Sequence, residues 1–301
     1  LSLVMGSTAY ALSAMLTAFL GGLALGAWLA GRATRSRPAN LRTYAFLELG
    51  IALLAGAMPA LVAAASPLFG VAYRALGDSL VAYSVAQLAI AGGLLLLPTA
   101  LMGATLPVLT SAVVRDAEGL TARVGDLYGV NSLGGALGAV LCGFVLLPAL
   151  GMRGTSLLAA GINVAVALLA LAAHRMAPDP EVYRARAAEP QRSERRRRAQ
   201  SAVVLDYPSP PPLAVATLYA VSGFATLALQ VAWARVVGLS IGSTSYGFAI
   251  TLSSFILGIA LGSVAAARIG WLARYPVRSI AYLHFAIALS AVLSIGWLAR
   301  P

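Results

Sequence analysis

The feature that most limits the fold of this chain is a series of long apolar stretches without a charged side chain. Residues 1–31, 79–114 and 236–267 contain no aspartate, glutamate, lysine or arginine. Because hydrocarbon offers the backbone no hydrogen-bond partners, such stretches cross a bilayer as helices. The composition agrees, since 60% of the residues are hydrophobic and only 10% are charged. The sequence therefore predicts an all-α, multi-pass bundle whose first partner is the lipid bilayer.

These apolar stretches predict about eight membrane spans. Their approximate bounds are 5–30, 42–65, 80–113, 124–147, 153–173, 213–237, 244–267 and 278–298. If the first connection is cytoplasmic, seventeen of the 21 arginines fall in cytoplasmic connections and four fall outside. Cytoplasmic loops of membrane proteins carry such an excess of positive charge. The arginines therefore indicate that the connection 174–212 lies in the cytoplasm.

One stretch occurs twice in the chain, at an offset of 236 residues. Residues 6–32 and 242–268 both begin Gly-Ser-Thr-x-Tyr and later share Phe, Gly, Ala-Leu-Gly and Arg at matching positions. The match continues without a gap from 42–53 to 278–289. A repeat this long is a multi-helix unit and not a solenoid repeat. We therefore expect two half-bundles, 1–173 and 213–301, joined by the linker 174–212.

The linker is rich in proline and arginine, which is typical of a loosely ordered segment. It contains the run Arg195–Arg198. A cationic run beside a membrane attracts anionic lipid head groups, and we expect that role for Arg195–Arg198. The net charge of +11 does not indicate a nucleic-acid partner, because the arginines lie in connections between apolar spans.

Metal, disulfide and cofactor chemistry find little support in the sequence. Cys142 is the single cysteine, and His174 and His284 are the two histidines, far apart in the chain. An internal disulfide and a cysteine metal cluster are therefore excluded. We expect neither a metal site nor a cofactor, and we identify no catalytic residue.

Small residues at a spacing of four predict close helix packing. They form the pairs Gly22 and Gly26, Gly125 and Gly129, Gly134 and Gly138, and Gly258 and Gly262. This spacing puts bare backbone on one helix face, where a neighbouring helix can approach.

The segment from Pro98 to Pro107 predicts a kink or a gate. Each proline frees a backbone carbonyl inside the membrane, and the hydroxyls of Thr99 and Thr105 can bond to such carbonyls or line a cavity.

Polar side chains within the spans are few. Glu48 and its repeat counterpart His284 are ionisable. A carboxyl group in hydrocarbon is costly, so Glu48 should face the bundle interior. It either pairs with Arg42 or Arg32 or forms a proton or amine site. The neutral polar residues Tyr10, Tyr246, Gln230 and Asn131 are candidates for interhelical hydrogen bonds or for a substrate pathway.

Four motifs together resemble one protein family. They are Pro98-Thr-x-x-Met102-Gly-Ala-Thr-Leu-Pro107, Gly125-x-Leu-Tyr128-x-x-Asn131-Ser-x-Gly134, Leu147-Pro-x-Leu-Gly151-x-Arg153-Gly and Ser222-Gly-Phe-x-x-Leu-x-x-Gln230-x-x-Trp233-x-Arg235. The set resembles the membrane part of the bacterial proteins that fuse a major-facilitator-like bundle to a spermidine synthase. The resemblance covers both halves and leaves out the linker.

The resemblance implies a 6+6 bundle in the bacterial inner membrane. The first half would then lack its opening helix and the second would be truncated. It also implies a cytoplasmic aminopropyltransferase domain, which moves an aminopropyl group onto putrescine. These 301 residues contain no strand–glycine–helix unit for such a domain, so no catalytic residue carries over. The expected function is to anchor that enzyme and to pass polyamine or a related cation. The alternatives are a stand-alone transporter of the major-facilitator type and a purely structural anchor.

Overall fold

A computed structural model describes residues 9–36, 39–113, 120–176, 212–241, 245–269 and 276–298. All regular secondary structure in these ranges is helical, which confirms the predicted all-α class. The helices are α1 (Ala9–Ser36), α2 (Leu41–Leu76), α3 (Leu80–Val113), α4 (Leu120–Leu141), α5 (Leu147–Met176), α6 (Pro212–Ile241), α7 (Ser245–Arg268) and α8 (Pro276–Leu298). The linker's central part, 177–211, lies outside the described residues.

Six helical segments in the described ranges are long and apolar enough to cross a membrane, so the chain is a multi-pass membrane protein. They are Ser13–Arg35, Leu41–Leu76, Val81–Val113, Arg123–Met176, Thr217–Ala234 and Tyr246–Ala266. The segment Arg123–Met176 has 54 residues and includes two of the spans expected from the sequence, 124–147 and 153–173. The apolar stretch Arg278–Leu293 is shorter. By length and composition the structure therefore gives six segments where the sequence led us to expect eight spans.

The long segment Arg123–Met176 contains two local departures from α-helical geometry. A π-helical turn, Cys142–Leu146, joins α4 to α5. Four residues into α5, Gly151 has φ 66° and ψ −178°. Positive φ is costly for residues with a Cβ atom, and glycine adopts it readily. The helix direction therefore changes at Gly151, within the motif Leu147-Pro-x-Leu-Gly151.

Helix packing divides the bundle into two groups. In the first, α1 packs mainly on α3, while α2 packs on both α3 and α5. In the second, α4 packs on α7, and α7 also contacts α6. α4 lies in the predicted first half-bundle and α7 in the predicted second, so the α4–α7 contact brings residues of the two together.

The buried core consists largely of alanine. Ala45, Ala91 and Ala167 are fully buried, while many large leucine, valine and phenylalanine side chains are exposed. Small residues let helices approach closely, which is how helices associate in lipid. The exposed large side chains form the outer surface that hydrocarbon covers.

The described connections place several helix ends at one end of the bundle. The backbone N–H of Ala39, between α1 and α2, donates to Ser111 Oγ near the end of α3 at 3.0 Å. Arg268, the last residue of α7, pairs with Asp126 of α4 at 3.3 Å. These helix ends and the start of α2 carry five of the arginines that the sequence predicts to be cytoplasmic, namely Arg32, Arg35, Arg42, Arg123 and Arg268. We call this end of the bundle the arginine end.

Candidate functional site

The proline-containing segment of α3 packs tightly against α1. A Cβ atom on Gly22 would lie 2.8 Å from Thr99 Cβ, and one on Gly26 would overlap the carbonyl group of Ala100. Gly103 of α3 in turn approaches the backbone of Leu23 so closely that a Cβ atom there would overlap it. The glycines at 22 and 26 therefore allow backbone-to-backbone contact with the segment that begins at Pro98.

The two threonines of this segment bond to backbone carbonyls of their own helix. Thr99 is buried and its hydroxyl donates to Leu95 O at 2.6 Å. The Thr105 hydroxyl donates to Met102 O at 2.6 Å. Because proline lacks an N–H, Pro98 and Pro107 free the carbonyls of residues 94 and 103. Both threonine hydroxyls thus serve carbonyls adjacent in sequence to the freed ones.

At the arginine end the same segment borders an open cleft of about 440 Å³. α1 contributes Thr34 and Arg35 to this cleft, and α4 contributes Val124. The α3 side consists of Leu106, Pro107, Thr110 and Ser111. We call it the α1–α3–α4 cleft. The proline segment is therefore packed against α1 at Thr99 and faces an open space at Pro107.

Glu48 is buried, with 7% of its surface exposed, and is hydrogen-bonded to Tyr44 one turn earlier in α2. Its neighbour Ala45 clusters with Ala167 and Ala170 of α5. Further along the same helix, Gly56 lies 3.7 Å from the Ala160 side chain, measured from an added Cβ atom. Glu48 therefore lies between contacts of α2 with α5, and it does not line the α1–α3–α4 cleft.

The arginines expected to pair with Glu48 have other neighbours. The Arg42 guanidinium lies 5.4 Å from the centroid of the Phe46 ring, and the Arg32 guanidinium lies 5.8 Å from that of Trp28. No ion pair of Glu48 is present among the described residues. Arginine stacks favourably on aromatic faces, so both cations remain near the surface while Glu48 takes a neutral partner.

His284, the repeat counterpart of Glu48, links α8 to α6. Its Nδ1 lies 2.8 Å from Ile280 O, and its Nε2 lies 2.7 Å from Ser222 Oγ. A carbonyl only accepts, so Nδ1 carries a proton. The counterparts at 48 and 284 therefore share a position in the repeat but not a chemical role.

The contact between the halves brings Tyr246 of α7 to Phe144, with ring centroids 5.2 Å apart. The other neutral polar candidates do not gather at one site. Gln230 is buried in α6, and Asn131 is exposed on α4. The side chain of Tyr10 lies outside the described residues, although its backbone belongs to α1.

Four of the other predicted packing glycines have open space beside them. A Cβ atom on Gly134, Gly138, Gly258 or Gly262 would meet nothing within 4 Å. The α4–α7 contact uses Gly129 of the predicted pair Gly125 and Gly129, where a Cβ atom would lie 2.5 Å from Val264 Cγ2.

Two polar side chains of the interior were not predicted from the sequence. Tyr44 is the hydrogen-bond partner of Glu48, and the spacing of four residues within one helix could have identified it. Ser253 of α7 is 7% exposed, and its hydroxyl has no hydrogen-bond partner among the described residues. Serine is common in apolar spans, so no sequence signal marks this one.

Within the described ranges, no group of three or more histidine, cysteine, aspartate or glutamate side chains could hold a metal ion. Comparisons of the chain with protein-family models, with characterised proteins and with solved structures found no match.

Proposed function

We propose that this chain is the membrane module of a bacterial spermidine synthase-like protein and that it holds an aminopropyltransferase at the cytoplasmic face of the inner membrane. The observation that carries the proposal is the set of four motifs, which lie on helices that pack into one bundle. The motif 98–107 forms the close α1–α3 crossing, and the motif 147–154 contains the positive φ of Gly151.

The bundle would cross the membrane eight times. At 1.5 Å per residue, a straight helix of the length of Arg123–Met176 would span about 81 Å, against about 30 Å for the hydrocarbon core. The change of direction at Gly151 gives this segment a place to turn and cross again. With α8 as a further span, the eight crossings suit a 6+6 major-facilitator-like plan in which α7 and α8 are the counterparts of α1 and α2.

The orientation follows from the arginine end. The contacts of Ala39 with Ser111 and of Asp126 with Arg268 put the ends of α1, α3 and α7 beside the start of α4. The positive-inside rule assigns these ends to the cytoplasm. The linker 174–212 is then cytoplasmic as well, and Arg195–Arg198 would meet anionic head groups there.

The described geometry favours an anchor over a polyamine pathway. A polyamine is a multiple cation, and a pathway for it needs a carboxylate that faces water. Glu48 instead lies within the α2–α5 packing and is hydrogen-bonded to Tyr44. The open α1–α3–α4 cleft carries Arg35, which repels cations.

A stand-alone transporter is the second candidate, and one observation favours it. The α4–α7 contact joins the two repeated halves, and transporters of repeated architecture bind substrate at such a contact. Ser132 and Ser253 are buried on these two helices. Both lie between the contact at Gly129 and the ring contact at Phe144.

Uptake of labelled putrescine and spermidine into proteoliposomes tests the anchor directly. We expect uptake by the wild-type chain to equal that of empty liposomes, and Glu48→Gln to change nothing. Uptake that Glu48→Gln abolishes would instead establish a polyamine pathway.

Aminopropyl transfer tests the family itself. We expect the chain purified from its native membranes to bring with it transfer from decarboxylated S-adenosylmethionine to putrescine. A preparation that retains the folded bundle but has no such activity, under conditions where a soluble spermidine synthase is active, would argue for the transporter or the purely structural anchor.

A further inference from the structure

The α1–α3–α4 cleft places the cationic side chain of Arg35 beside an apolar wall. Among the described residues, the guanidinium of Arg35 makes no ion pair and lies over no ring. Its neighbours at the arginine end are engaged, since Arg32 lies over Trp28 and Arg268 pairs with Asp126. An unpaired guanidinium at the rim of a cavity is a ready binding group for a phosphate, which it contacts through two N–H groups.

Two hydroxyls of α3 add donors beside Arg35. The Ser111 oxygen accepts from the N–H of Ala39 at 3.0 Å, which leaves the Ser111 proton available to a ligand. Thr110 also lines the cleft, and among the described residues its hydroxyl makes no hydrogen bond. Thr34 is different, because its hydroxyl already donates to Ala30 O at 2.9 Å. The donors for an anion are thus Arg35, Ser111 and Thr110.

The cleft changes from polar to apolar along the helix axis. Thr110 and Ser111 lie close to the end of α3, while Leu106 and Pro107 lie about one turn, or roughly 5 Å, deeper in the bundle. Val124 of α4 completes the apolar side. A free phosphate would leave this deeper wall exposed to water. A molecule with an anionic head and an apolar tail would cover both parts.

The connections around the cleft carry a net positive charge, which suits an anionic ligand. Residues 31–42 and 114–126 contain Arg32, Arg35, Arg37, Arg42, Arg115 and Arg123 against Asp116, Glu118 and Asp126. The six cations therefore outnumber the three carboxylates, and Asp126 is already paired with Arg268. Juxtamembrane arginines attract anionic lipid.

We propose that the α1–α3–α4 cleft binds one anionic phospholipid of the leaflet at the arginine end. The phosphate accepts hydrogen bonds from Arg35, Ser111 and Thr110, and the upper part of an acyl chain lies over Leu106, Pro107 and Val124. This site differs from the cationic run Arg195–Arg198, because it is an open cleft lined by three helices.

Native mass spectrometry of the detergent-purified chain, titrated with phosphatidylglycerol or phosphatidylcholine, tests the site. We expect one phosphatidylglycerol to bind at least tenfold more tightly than phosphatidylcholine. Arg35→Gln should weaken the binding of phosphatidylglycerol about tenfold and remove its preference over phosphatidylcholine. The matched control is Arg32→Gln, which removes the same charge one turn earlier in α1 and should change the affinity less than twofold.

Two further experiments distinguish a phospholipid from free inorganic phosphate as the ligand. Leu106→Trp fills the apolar part of the cleft. It should therefore weaken the binding of phosphatidylglycerol while leaving the melting temperature of the lipid-free protein unchanged. Inorganic phosphate at millimolar concentration should not compete. Competition by phosphate together with no effect of Leu106→Trp would overturn the lipid proposal in favour of a free anion. Equal losses of phosphatidylglycerol affinity in Arg35→Gln and Arg32→Gln would overturn the proposal. They would indicate nonspecific attraction between the arginines and anionic lipid.

Discussion

Replacing Gly26 with alanine is expected to lower the free energy of unfolding by about 1–3 kcal/mol. The added Cβ atom would lie 2.8 Å from Ala100 Cα and would overlap the Ala100 carbonyl, so the α1–α3 crossing must open. A backbone obstacle cannot rotate away as a side chain can. The measurement is an SDS titration of the protein in mixed micelles, followed by circular dichroism.

The matched control is Gly21→Ala in the same helix, where a Cβ atom would meet nothing within 4 Å. Alanine favours the helix over glycine by up to about 1 kcal/mol, so Gly21→Ala should be neutral or stabilising. Gly26→Ala should therefore lower the stability, while Gly21→Ala should not. Equal stability of both variants would mean that α1 and α3 do not meet at Gly26.

Replacing Tyr44 with phenylalanine is expected to cost about 1–3 kcal/mol, because it leaves the buried Glu48 carboxyl without its hydrogen-bond partner. Glu48→Leu alone strands the Tyr44 hydroxyl in the same way. The double variant removes both polar groups and should be more stable than the sum of the single effects predicts, by about 1–2 kcal/mol. The same SDS titration of the four proteins gives this coupling energy.

Tyr73→Phe serves as the control for this cycle. Tyr73 belongs to the same helix but is 62% exposed, so loss of its hydroxyl should change stability by less than about 0.5 kcal/mol. If Tyr44→Phe behaves like Tyr73→Phe, or if the cycle shows no coupling, the Tyr44–Glu48 pair does not exist in the membrane-embedded protein.

The helical membrane fold could be predicted from the sequence because uncharged runs of this length leave the backbone no other structure in lipid. Helix ends were harder to predict. α2 continues to Leu76 through Pro59 and Pro67, while the apolar pattern suggested an end near residue 65. Proline is tolerated inside a membrane helix when neighbouring groups satisfy the freed carbonyls, and the sequence does not show which groups are neighbours.

The glycine pairs were also only partly predictable from the sequence. A spacing of four marks a bare strip on a helix, but tertiary structure decides which strip meets another helix. Gly22 and Gly26 meet α3, while α4 turns Gly129 to α7 and leaves Gly134 and Gly138 beside open space. Glu48 was recognisable as a buried group from its position in a span. Its neutral partner Tyr44 required attention to the preceding turn, and the burial of Ser253 required the packed structure.

Labelling of single cysteines decides whether this is an eight-span module with its linker in the cytoplasm. Cys142→Ala removes the chain's single cysteine. Into that background go Ser79→Cys between α2 and α3, Met152→Cys beside Gly151, and Ser193→Cys in the linker. A membrane-impermeant maleimide is then applied to intact spheroplasts and to inverted vesicles.

We predict that Ser79→Cys and Met152→Cys react only in spheroplasts and that Ser193→Cys reacts only in inverted vesicles. This pattern requires Arg123–Met176 to cross the membrane twice, with its turn at Gly151 on the outside. Reaction of Ser193→Cys in spheroplasts, or of Met152→Cys in inverted vesicles, would contradict the eight-span orientation and with it the cytoplasmic anchor.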